Sequence, residues 1–493
     1  MEIVKIERIN NWEYSFANNS RRGIKYVCRS LTFDNPNPYG FSDVIRMFDR
    51  KKMSFKIGML SDVKDYLDEI GMKCEVYDYV YGLPEHLHID ERLRGKYVHQ
   101  SKAIEAFFRR RFGIIKVPTR GGKTFIASEC IRLFLEMEEE GNVIFFVDSV
   151  DLLKQAQADI SGFTGKEVGM IGDGTIDTNK RVCVATVQTI QSTFSKRCKD
   201  RKRKMAVNKF IRDIKFMIID EVHDNFSNER KKIYKKPKGI EYLLCLSATP
   251  FKKNTIKQNL DLKAWSGGIV YEIKEETLRK RGVLSDYRVF LLSIDHTDVE
   301  EEEIRGDSTF YNNCRSKLIF NNPSRNKVLM NVIRMLMKLN LKTLVLFQSV
   351  EHGTMMGKVM KIPFISGVDK SDVRSREKVE FLEKEGGVLF ASNIFKKGIT
   401  LPEVEVMINA DGGLEDANTV QKKGRVLGTT SDKRKALIID FIDIYELYFS
   451  EHSAQRLETY VDAIGEKKIG ILDVTSNDFY EVLEKWIKLW FEK

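Results

Sequence analysis

The sequence lacks the features that mark membrane, secreted and disulfide-linked proteins. No apolar run is long enough to span a bilayer. Residues 1–7 carry charges where a signal peptide needs its apolar core. The seven cysteines include no Cys-x-x-Cys pair, and most lie in apolar runs, so we expect reduced and mainly buried thiols. These absences predict a protein of the reducing cytoplasm that makes no membrane contact.

Clustered metal ligands and repeats are also lacking. His86 and His88 are one residue apart, but no further ligands accompany them, so ordinary loop histidines are the better interpretation. No internal repeat or low-complexity segment stands out. We therefore expect the chain to fold into globular domains without repeats.

The composition is that of a soluble globular protein with a basic balance. Hydrophobic residues make up 42% and charged residues 31% of the chain. A length of 493 residues is too great for one core, and it predicts roughly three or four domains. The net charge of +11 and the pI near 9.0 favour a polyanionic partner.

Residues 117–124 have the pattern of a phosphate-binding loop. An apolar run at 113–117 predicts a buried strand, and a helical pattern begins at Phe125. Between them, backbone N–H groups at Thr119, Gly121 and Gly122 can face an anion at a helix N-terminus. Lys123 would reach the β- and γ-phosphates of a nucleotide, and Thr124 would place its hydroxyl on Mg²⁺. The strict pattern has glycine where Val117 stands, so the loop alone is weak evidence.

Two further strand ends strengthen this interpretation. Residues 216–219 predict a buried strand that ends in Asp220 and Glu221. Asp220 can hold Mg²⁺ through water, and Glu221 can polarise an attacking water molecule. The alternative is a surface acidic turn. Residues 242–246 predict another buried strand, followed by Ser247 and Thr249, which taken alone would be an ordinary hydroxyl-rich turn.

Together these residues resemble the helicases and translocases of superfamily two, in the DExH group. The order of motifs continues through most of the chain, and the shared order and spacing are more specific than any single motif. The further segments that match are residues 97–100, 148–155, 185–189, 344–349, 391–393, 397–400 and 421–425.

The resemblance implies an α/β fold of two tandem RecA-like parallel-sheet domains that uses ATP and Mg²⁺. Gln100 would read adenine, and Gly398 would also contact the nucleotide. Gln421 and Arg425 would belong to the arginine-finger motif. The resemblance also implies that His223, Ser247 and Thr249 couple ATP hydrolysis to movement. It implies nucleic-acid binding for Thr186, Gln188 and Ser349.

Two positions depart from the family pattern. Thr400 stands where the family often has Asp, and Gly428 stands where many members carry the second arginine of the finger motif. Arg425 would then act alone, or a nearby Lys433, Arg434 or Lys435 would assist it. A protein that binds nucleic acid without hydrolysing ATP is therefore an alternative. The intact residues Lys123, Asp220 and Glu221 argue against it.

We expect four segments along the chain. Residues 1–90 form a small N-terminal α+β domain, in which basic and aromatic side chains interleave. Within it, Ser61 is expected to cap a helix that ends at Gly71. Residues 91–282 and 283–453 form the two RecA-like domains. Residues 454–493 form a C-terminal helical segment whose apolar stripe predicts core packing.

Residues 196–204 form a strongly basic insert in the first RecA-like domain. Charge runs are usually solvated faces, but nearby motifs that would bind nucleic acid favour phosphate contacts here. The side chains expected to make them are Arg201, Lys202, Arg203 and Lys204. A second basic patch at residues 230–236 is a weaker candidate.

The pattern of residues 45–49, followed by a turn and then residues 58–74, resembles the N-terminal domain of the phage UvsW helicase group, which implies a DNA partner. The expected function is an ATP-dependent DNA helicase or translocase that remodels branched DNA in recombination, repair or replication. Its expected partner is branched, forked or single-stranded DNA, and a monomer is favoured. The compartment would be the host cytoplasm if the gene is phage-encoded. The alternatives are an RNA-remodelling ATPase and the translocase of a restriction system. The motor motifs alone do not separate DNA from RNA.

Overall fold

A computed structural model of the protein describes residues 3–10, 12–18, 20–35, 43–77, 87–138, 140–251, 255–296, 310–369, 371–392, 401, 403–412, 428–429 and 435–492. The chain divides into two compact units. The first comprises residues 1–118 and 122–274, and the second comprises residues 119–121 and 275–493.

The N-terminal domain is an α+β layer. Its strands are β1 (Ile3–Asn10), β2 (Glu13–Phe16), β3 (Thr32–Asn35), β4 (Asp43–Arg46), β5 (Phe48–Asp49), β6 (Ser54–Lys56) and β7 (Lys73–Tyr77). Five of them form a sheet in the order β5-β6-β2-β1-β7, and β3 and β4 form a separate hairpin. Helices α1 (Arg21–Ser30) and α2 (Leu60–Glu69) cover the sheet through a shared apolar core.

The expected cap of α2 was wrong. The helix begins at Leu60 and its N-cap is Met59, because a short 3₁₀ turn at Ile57–Met59 runs directly into it. Ser61 is therefore already inside the first turn. Gly71 follows the helix with a φ of +70°, as expected for a glycine that ends a helix.

The rest of the first unit is a parallel sheet flanked by helices. Its strands are β8 (Phe112–Lys116), β9 (Asn142–Val147), β10 (Val168–Gly172), β11 (Thr175–Ile176), β12 (Val182–Thr186), β13 (Ile214–Ile219), β14 (Tyr242–Ser247) and β15 (Ile269–Glu272). Its helices are α3 (Val98–Arg110), α4 (Lys123–Met137), α5 (Val150–Thr164), α6 (Val187–Phe194), α7 (Arg201–Arg212), α8 (Asn228–Tyr234) and α9 (Ile256–Ser266). The order is β11-β10-β12-β9-β13-β14-β8-β15, and only the short β11 runs antiparallel to its neighbour. Continuous apolar runs in the central strands fit a sheet covered on both faces.

The N-terminal domain packs directly on this sheet. Trp12 stacks on Trp265 at 5.2 Å between ring centroids and meets the edge of Phe112 at 5.4 Å. A Cβ atom at Gly58 would lie 1.7 Å from the carbonyl oxygen of Lys263, so the two backbones approach closely there. The expected boundary near residue 90 thus separates two sheets but not two independently packed bodies.

The second unit contains a seven-stranded sheet that is parallel throughout its described pairs. Its strands are β16 (Asp286–Asp295), β17 (Thr343–Phe347), β18 (Phe364–Ile365), β19 (Val388–Ser392), β20 (Val406–Asn409), β21 (Lys435–Ile444) and β22 (Ile469–Asp473), in the order β18-β19-β17-β20-β21-β16-β22. Its helices are α10 (Glu275–Lys280), α11 (Phe310–Arg315), α12 (Pro323–Lys338), α13 (Val350–Met360), α14 (Ser371–Glu383), α15 (Glu446–Ile464) and α16 (Phe479–Glu492). The expected fold class, two RecA-like parallel sheets and an N-terminal α+β domain, is confirmed.

The C-terminal segment belongs to the core of the second unit. Phe479, Leu483, Ile487 and Trp490 of α16 are buried against the sheet, so the expectation of core packing is confirmed. The segment is not purely helical, however, because β22 pairs with β16 at the sheet edge. Among the helices of the described residues, none is both long and apolar enough to cross a membrane.

Candidate active site

The loop between β8 and α4 has the backbone of a phosphate cradle. Gly122 is the N-cap of α4 with a φ of +90°, and Arg120 also has a positive φ of +70°. In the described structure no side chain caps α4, and its first turn holds no acidic residue. The positive dipole end of α4 therefore meets this turn with no acidic side chain from its own first turn, which favours an anion there.

Gln100 lies against this loop. Its side chain is buried, and a Cβ atom at Gly122 would come within 1.9 Å of the Gln100 Nε2 atom. Both the positive φ and this approach require glycine at residue 122. Gln100 comes from the first turn of α3, so the structure brings together the residue expected to read adenine and the loop expected to bind phosphate.

The turn after β13 places an acidic pair beside the loop. The Asp220 N–H donates to the Phe146 carbonyl at 3.1 Å, and the Val222 N–H donates to the Leu246 carbonyl at 3.1 Å, which fixes the turn between the neighbouring strands. Glu221 has a φ of +44° and forms an ion pair with the ammonium group of Lys123. Lys123 and Glu221, 98 residues apart, therefore meet as expected for a nucleotide site.

The second oxygen of Glu221 is a buried acceptor. Its Oε2 atom has no hydrogen-bond partner within the part of the chain that the structure describes. The Nδ1 atom of His223 is 3.5 Å away, which is too long for a good hydrogen bond. This oxygen is thus positioned to accept a hydrogen bond from a bound water molecule or ligand.

Burial raises the pKa of Asp220 to about 6, and the charge of Lys123 opposes this shift. The negative charge of Glu221 adds to the rise. A buried carboxylate in this environment gains from a nearby cation, because a cation favours its ionised form. A cation bound beside Asp220 would therefore stabilise its ionised carboxylate.

His223 and Ser247 join the ends of β13 and β14. The Nδ1 atom of His223 lies 2.8 Å from the Ser247 Oγ atom, and the Thr249 N–H donates to the same oxygen at 3.0 Å. The side chain of His223 is buried. The three residues expected to couple ATP to movement thus form one hydrogen-bonded chain that starts next to Glu221.

Sequence reasoning missed the residues that support the acidic turn. Asn225 donates from Nδ2 to the Asp220 carbonyl at 2.8 Å, and Arg230 donates to the Oδ1 atom of Asn225. The Arg230 guanidinium also pairs with Asp148 at 2.8 Å. By sequence, Arg230 belongs to a basic patch. Its partner Asp148 is 82 residues away along the chain, so no local signal in the sequence joins the two.

The nucleic-acid candidates in the first unit differ in exposure. Thr186, at the end of β12, is buried and its hydroxyl bonds to the Thr189 hydroxyl at 2.8 Å. Gln188 is exposed at the start of α6. Of this pair, Gln188 is the side chain open to solvent, whereas Thr186 shapes the turn.

The basic segment at 196–204 is partly helical. From Arg201 it forms α7, which is capped by Asp200 and packs into the core through its last turns. Arg201 and Lys202 are exposed. Arg203 donates from Nε to the Thr193 hydroxyl at 2.9 Å, which ties it to α6. Lys204 is only partly exposed.

In the second unit, Ser349 is the N-cap of α13 and accepts a hydrogen bond from the His352 N–H at 3.2 Å. Gly428 accepts a hydrogen bond from the Ser285 hydroxyl at 2.9 Å, so its backbone is held to the segment expected to begin the second RecA-like domain. Lys435, one of the cations considered as help for the finger, donates to the Trp490 carbonyl at 2.9 Å and therefore has a packing role. Gly398, Gln421 and Arg425 lie outside the described residues, as do Thr400, Lys433 and Arg434.

Two family models match the sequence. The model described as "Type III restriction enzyme, res subunit" matches residues 96–252, which include the phosphate loop and the acidic turn. The model described as "Helicase conserved C-terminal domain" matches residues 324–427 in the second unit. With the two parallel sheets, these matches place the chain among the superfamily 2 helicases.

Two relatives align with most of the chain. One is the predicted helicase 22 of Sulfolobus islandicus filamentous virus (isolate Iceland/Hveragerdi), 24% identical over 356 residues, or 69% of this chain and 62% of that protein. Another is the DNA 3'-5' translocase XPB2 of Sulfurisphaera tokodaii, 23% identical over 385 residues, or 70% of this chain and 80% of that protein. The chain thus spans less than two thirds of the viral relative's length.

Solved structures share the fold. The ATP-dependent Type ISP restriction-modification enzyme LlaBIII bound to DNA superposes with a TM-score of 0.57 at 14% identity, over 88% of this chain and 36% of that chain. The crystal structure of phage T4 UvsW is also among the matches, at 18% identity over 96% of this chain and 100% of that chain. Its TM-score of 0.43 is too low to support an inference about function.

Proposed function

We propose that this chain is an ATP-dependent DNA helicase or translocase that remodels branched DNA, through branch migration, fork regression or R-loop unwinding. The observation that carries the proposal is the meeting of Lys123 with Glu221, next to the contact of Gln100 with Gly122. A strand, a glycine turn, a lysine and an acidic pair in this arrangement bind and hydrolyse nucleoside triphosphates.

The residues present fit ATP with Mg²⁺. The loop leads into the positive dipole end of α4, Glu221 keeps one buried oxygen as an acceptor, and a nearby cation would favour the ionised form of Asp220. Lys123 would hold the phosphates together with the backbone at Thr119 and Gly121.

Thr124 and Asp220 would hold Mg²⁺, which when bound neutralises charge on the phosphates. Glu221 would orient the attacking water through its free oxygen and accept its proton. Gln100 would contact adenine. His223, Ser247 and Thr249 would pass a change at Glu221 to the end of β14, because one hydrogen-bonded chain joins them.

Arg425 is proposed as the arginine finger, with Gln421 and Gly398 near the nucleotide. A finger of this kind contributes roughly 10³–10⁵ in rate. The engagement of Lys435 with Trp490 leaves Lys433 and Arg434 as the nearby cations that could assist Arg425. Turnover by the intact chain would exclude the alternative of a binding protein without catalysis.

Branched DNA is proposed as the substrate on two grounds. The relative XPB2 is named as a DNA translocase. Arg21, Lys25 and Arg29 lie one turn apart on α1, all exposed, and give the N-terminal domain a basic face outside the motor sheets. A motor that grips the strand backbone does not distinguish a junction by itself, so this added domain is the natural place for that selection.

Point variants test this proposal better than truncation. Removal of residues 1–90 would expose Phe112 and Trp265, which Trp12 covers, and would invite aggregation. We expect Arg21→Gln, Lys25→Gln and Arg29→Gln together to lower four-way-junction unwinding more than ATP turnover on single-stranded DNA. The matched control changes Lys5, Lys64 and Lys73, all exposed on the same domain, to Gln. Equal loss of both activities, or retention of junction activity, would contradict branch selection by this face.

RNA remodelling and restriction-type translocation are the alternatives. An RNA-remodelling ATPase would turn over faster with RNA than with DNA of the same sequence. A restriction-type translocase would move along duplex DNA, and a junction would not increase its ATP turnover. The same assays, repeated with RNA and with plain duplex, separate these outcomes.

A further inference from the structure

A cleft of about 620 Å³ opens where the N-terminal domain meets α8 and α9. Its volume is in the range of small-ligand sites, about 300–1,000 Å³, so it suits a few groups of a single strand rather than a duplex. The cleft lies wholly within the first unit, and neither the phosphate loop nor the acidic turn lines it.

The floor of the cleft is aromatic. Phe48, Phe55 and Trp265 line it and are otherwise buried, and the half-buried Phe226 meets Trp265 at 5.2 Å between ring centroids. Of these four rings, only Phe226 is not buried, so it is the ring on which a base can stack with little regard to sequence.

The rim of the cleft carries an excess of cations. Glu13 pairs with Lys56 at 2.5 Å, and Lys231 pairs with Asp261 at 3.4 Å. The Asp49 carboxylate accepts the backbone N–H groups of Lys51 and Lys52, and the bond from Lys52 is the main cause that lowers its pKa.

Three rim cations remain, namely Arg46, Lys52 and Lys235. They are exposed, and within the described ranges they enter no ion pair. Arg46 and Lys52 belong to the N-terminal domain, whereas Lys235 follows α8, so both sides of the cleft contribute to the charge excess.

We propose that this cleft binds a single strand of nucleic acid, with phosphodiester groups on Arg46, Lys52 and Lys235 and a base against Phe226. The proposal rests on the proposed function only in requiring that the chain bind nucleic acid. The chemistry is shared by DNA and RNA strands, and the two are separated by experiment.

Helix α8 connects the cleft with the acidic turn. Lys231 and Lys235 line the cleft, whereas Arg230 and Tyr234 hold Asn225 from another face of the helix. The test variant therefore leaves Arg230 and Lys231 in place, since they hold Asp148 and Asp261, and changes only the three rim cations.

The test compares Arg46→Gln/Lys52→Gln/Lys235→Gln with a control, Lys64→Gln/Lys73→Gln/Lys102→Gln, in the full chain. The control removes the same charge from exposed lysines outside the cleft. Binding of labelled oligothymidylate and oligouridylate is titrated without ATP over a series of salt concentrations. The logarithm of the binding constant falls linearly with the logarithm of the salt concentration, and each phosphate that the protein no longer neutralises makes this slope shallower by about 0.7. The slope of the cleft variant should therefore be shallower by about 2, and that of the control by less than half as much.

A second variant tests the stacking floor. Phe226→Leu keeps an apolar side chain but removes the ring, and it should weaken oligothymidylate binding about tenfold. Far-UV circular dichroism and thermal melting establish that both variants fold. Equal salt slopes in the cleft variant and its control would overturn the proposal, even with ATP turnover intact. Strand binding by the unchanged chain without any strand-stimulated ATP turnover would instead count against the proposed function. Preference for oligothymidylate or oligouridylate identifies the strand as DNA or RNA.

Discussion

The ammonium group of Lys123 is paired with the carboxylate of Glu221, and both side chains are mostly buried, at 11% and 18% exposure. The cation expected to bind phosphate and the base expected to orient water therefore neutralise each other. Removing one partner of a buried pair leaves the other uncompensated. ATP has to compete with Glu221 for Lys123, so a change at either residue should affect both binding and hydrolysis.

Replacement of Glu221 by Gln should separate these two effects. Without the competing carboxylate, Lys123 is free for phosphate, so ATP should bind a few-fold more tightly. Hydrolysis should fall by about 10²–10⁴, the usual contribution of a general base. Equilibrium binding of a fluorescent ATP analogue and steady-state phosphate release measure the two quantities. The control is Glu229→Gln, an exposed residue paired with Lys232, and turnover of Glu221→Gln near that of the control would contradict the role of Glu221.

The contact between Gln100 and Gly122 should appear as an energetic coupling. Gly122→Ala should destabilise the fold by roughly 1–2 kcal/mol from its positive φ alone, and further from the clash with the Gln100 amide. Adding Gln100→Ala removes the clash but not the strain, so the double variant should be more stable than additivity predicts. Gly165→Ala is the control, since Gly165 has a φ of +67° and open space around its Cβ position. Chemical denaturation gives the coupling, expected at about 0.5–3 kcal/mol; strictly additive effects would count against the contact.

Asp220 should give the site a pH dependence. Its pKa is raised from 3.8 to about 6, so the stability it contributes is fully present below about pH 4 and is lost as the pH rises through about 6. Asp220→Asn should remove this loss and leave the metal-free protein more stable than wild type at pH 8. Thermal melting in EDTA across this range measures the difference. A wild-type advantage at pH 8 would mean that ionised Asp220 stabilises the fold.

Helix α7 should contribute phosphate contacts unevenly. Arg201 and Lys202 are exposed and Lys204 partly so, whereas Arg203 is tied to Thr193. Replacing Arg201, Lys202 and Lys204 by Ala should lower the salt slope of single-strand binding by about 0.7 for each phosphate that the helix no longer neutralises. Arg203→Ala should mainly lower thermal stability, and Lys209→Ala, an exposed change on the same helix, should alter neither quantity much. An unchanged slope in the triple variant would leave α7 as a solvated face.

The site was predictable where the chemistry is local in sequence. A few consecutive residues predict the strand, glycine turn and helix around Lys123. A few others predict the strand that ends at the acidic residue Asp220. Their meeting follows from parallel strands whose ends share one edge of the sheet.

Contacts between distant residues were not predictable. In the sequence, Arg230 is one of several basic residues in a patch. Its ion pair with Asp148 forms because the neighbouring strands β9 and β13 bring the two residues together. The cleft at the N-terminal domain is likewise built from Glu13, residues 46–56 and residues 226–265, which no sequence period connects. The helix start at Leu60 was missed because a preceding 3₁₀ turn made a side-chain cap unnecessary.

The central claim is that this chain turns over ATP in response to branched DNA. The most direct measurement is the steady-state ATPase rate of the full chain with single-stranded DNA, duplex DNA, forked DNA and RNA side by side, with Lys123→Ala as the blank. The account predicts stimulation by DNA, most strongly by the fork, little stimulation by RNA, and a rate for Lys123→Ala lower by at least about 10². A Lys123→Ala rate equal to wild type, or stimulation by RNA above that by every DNA, would contradict it.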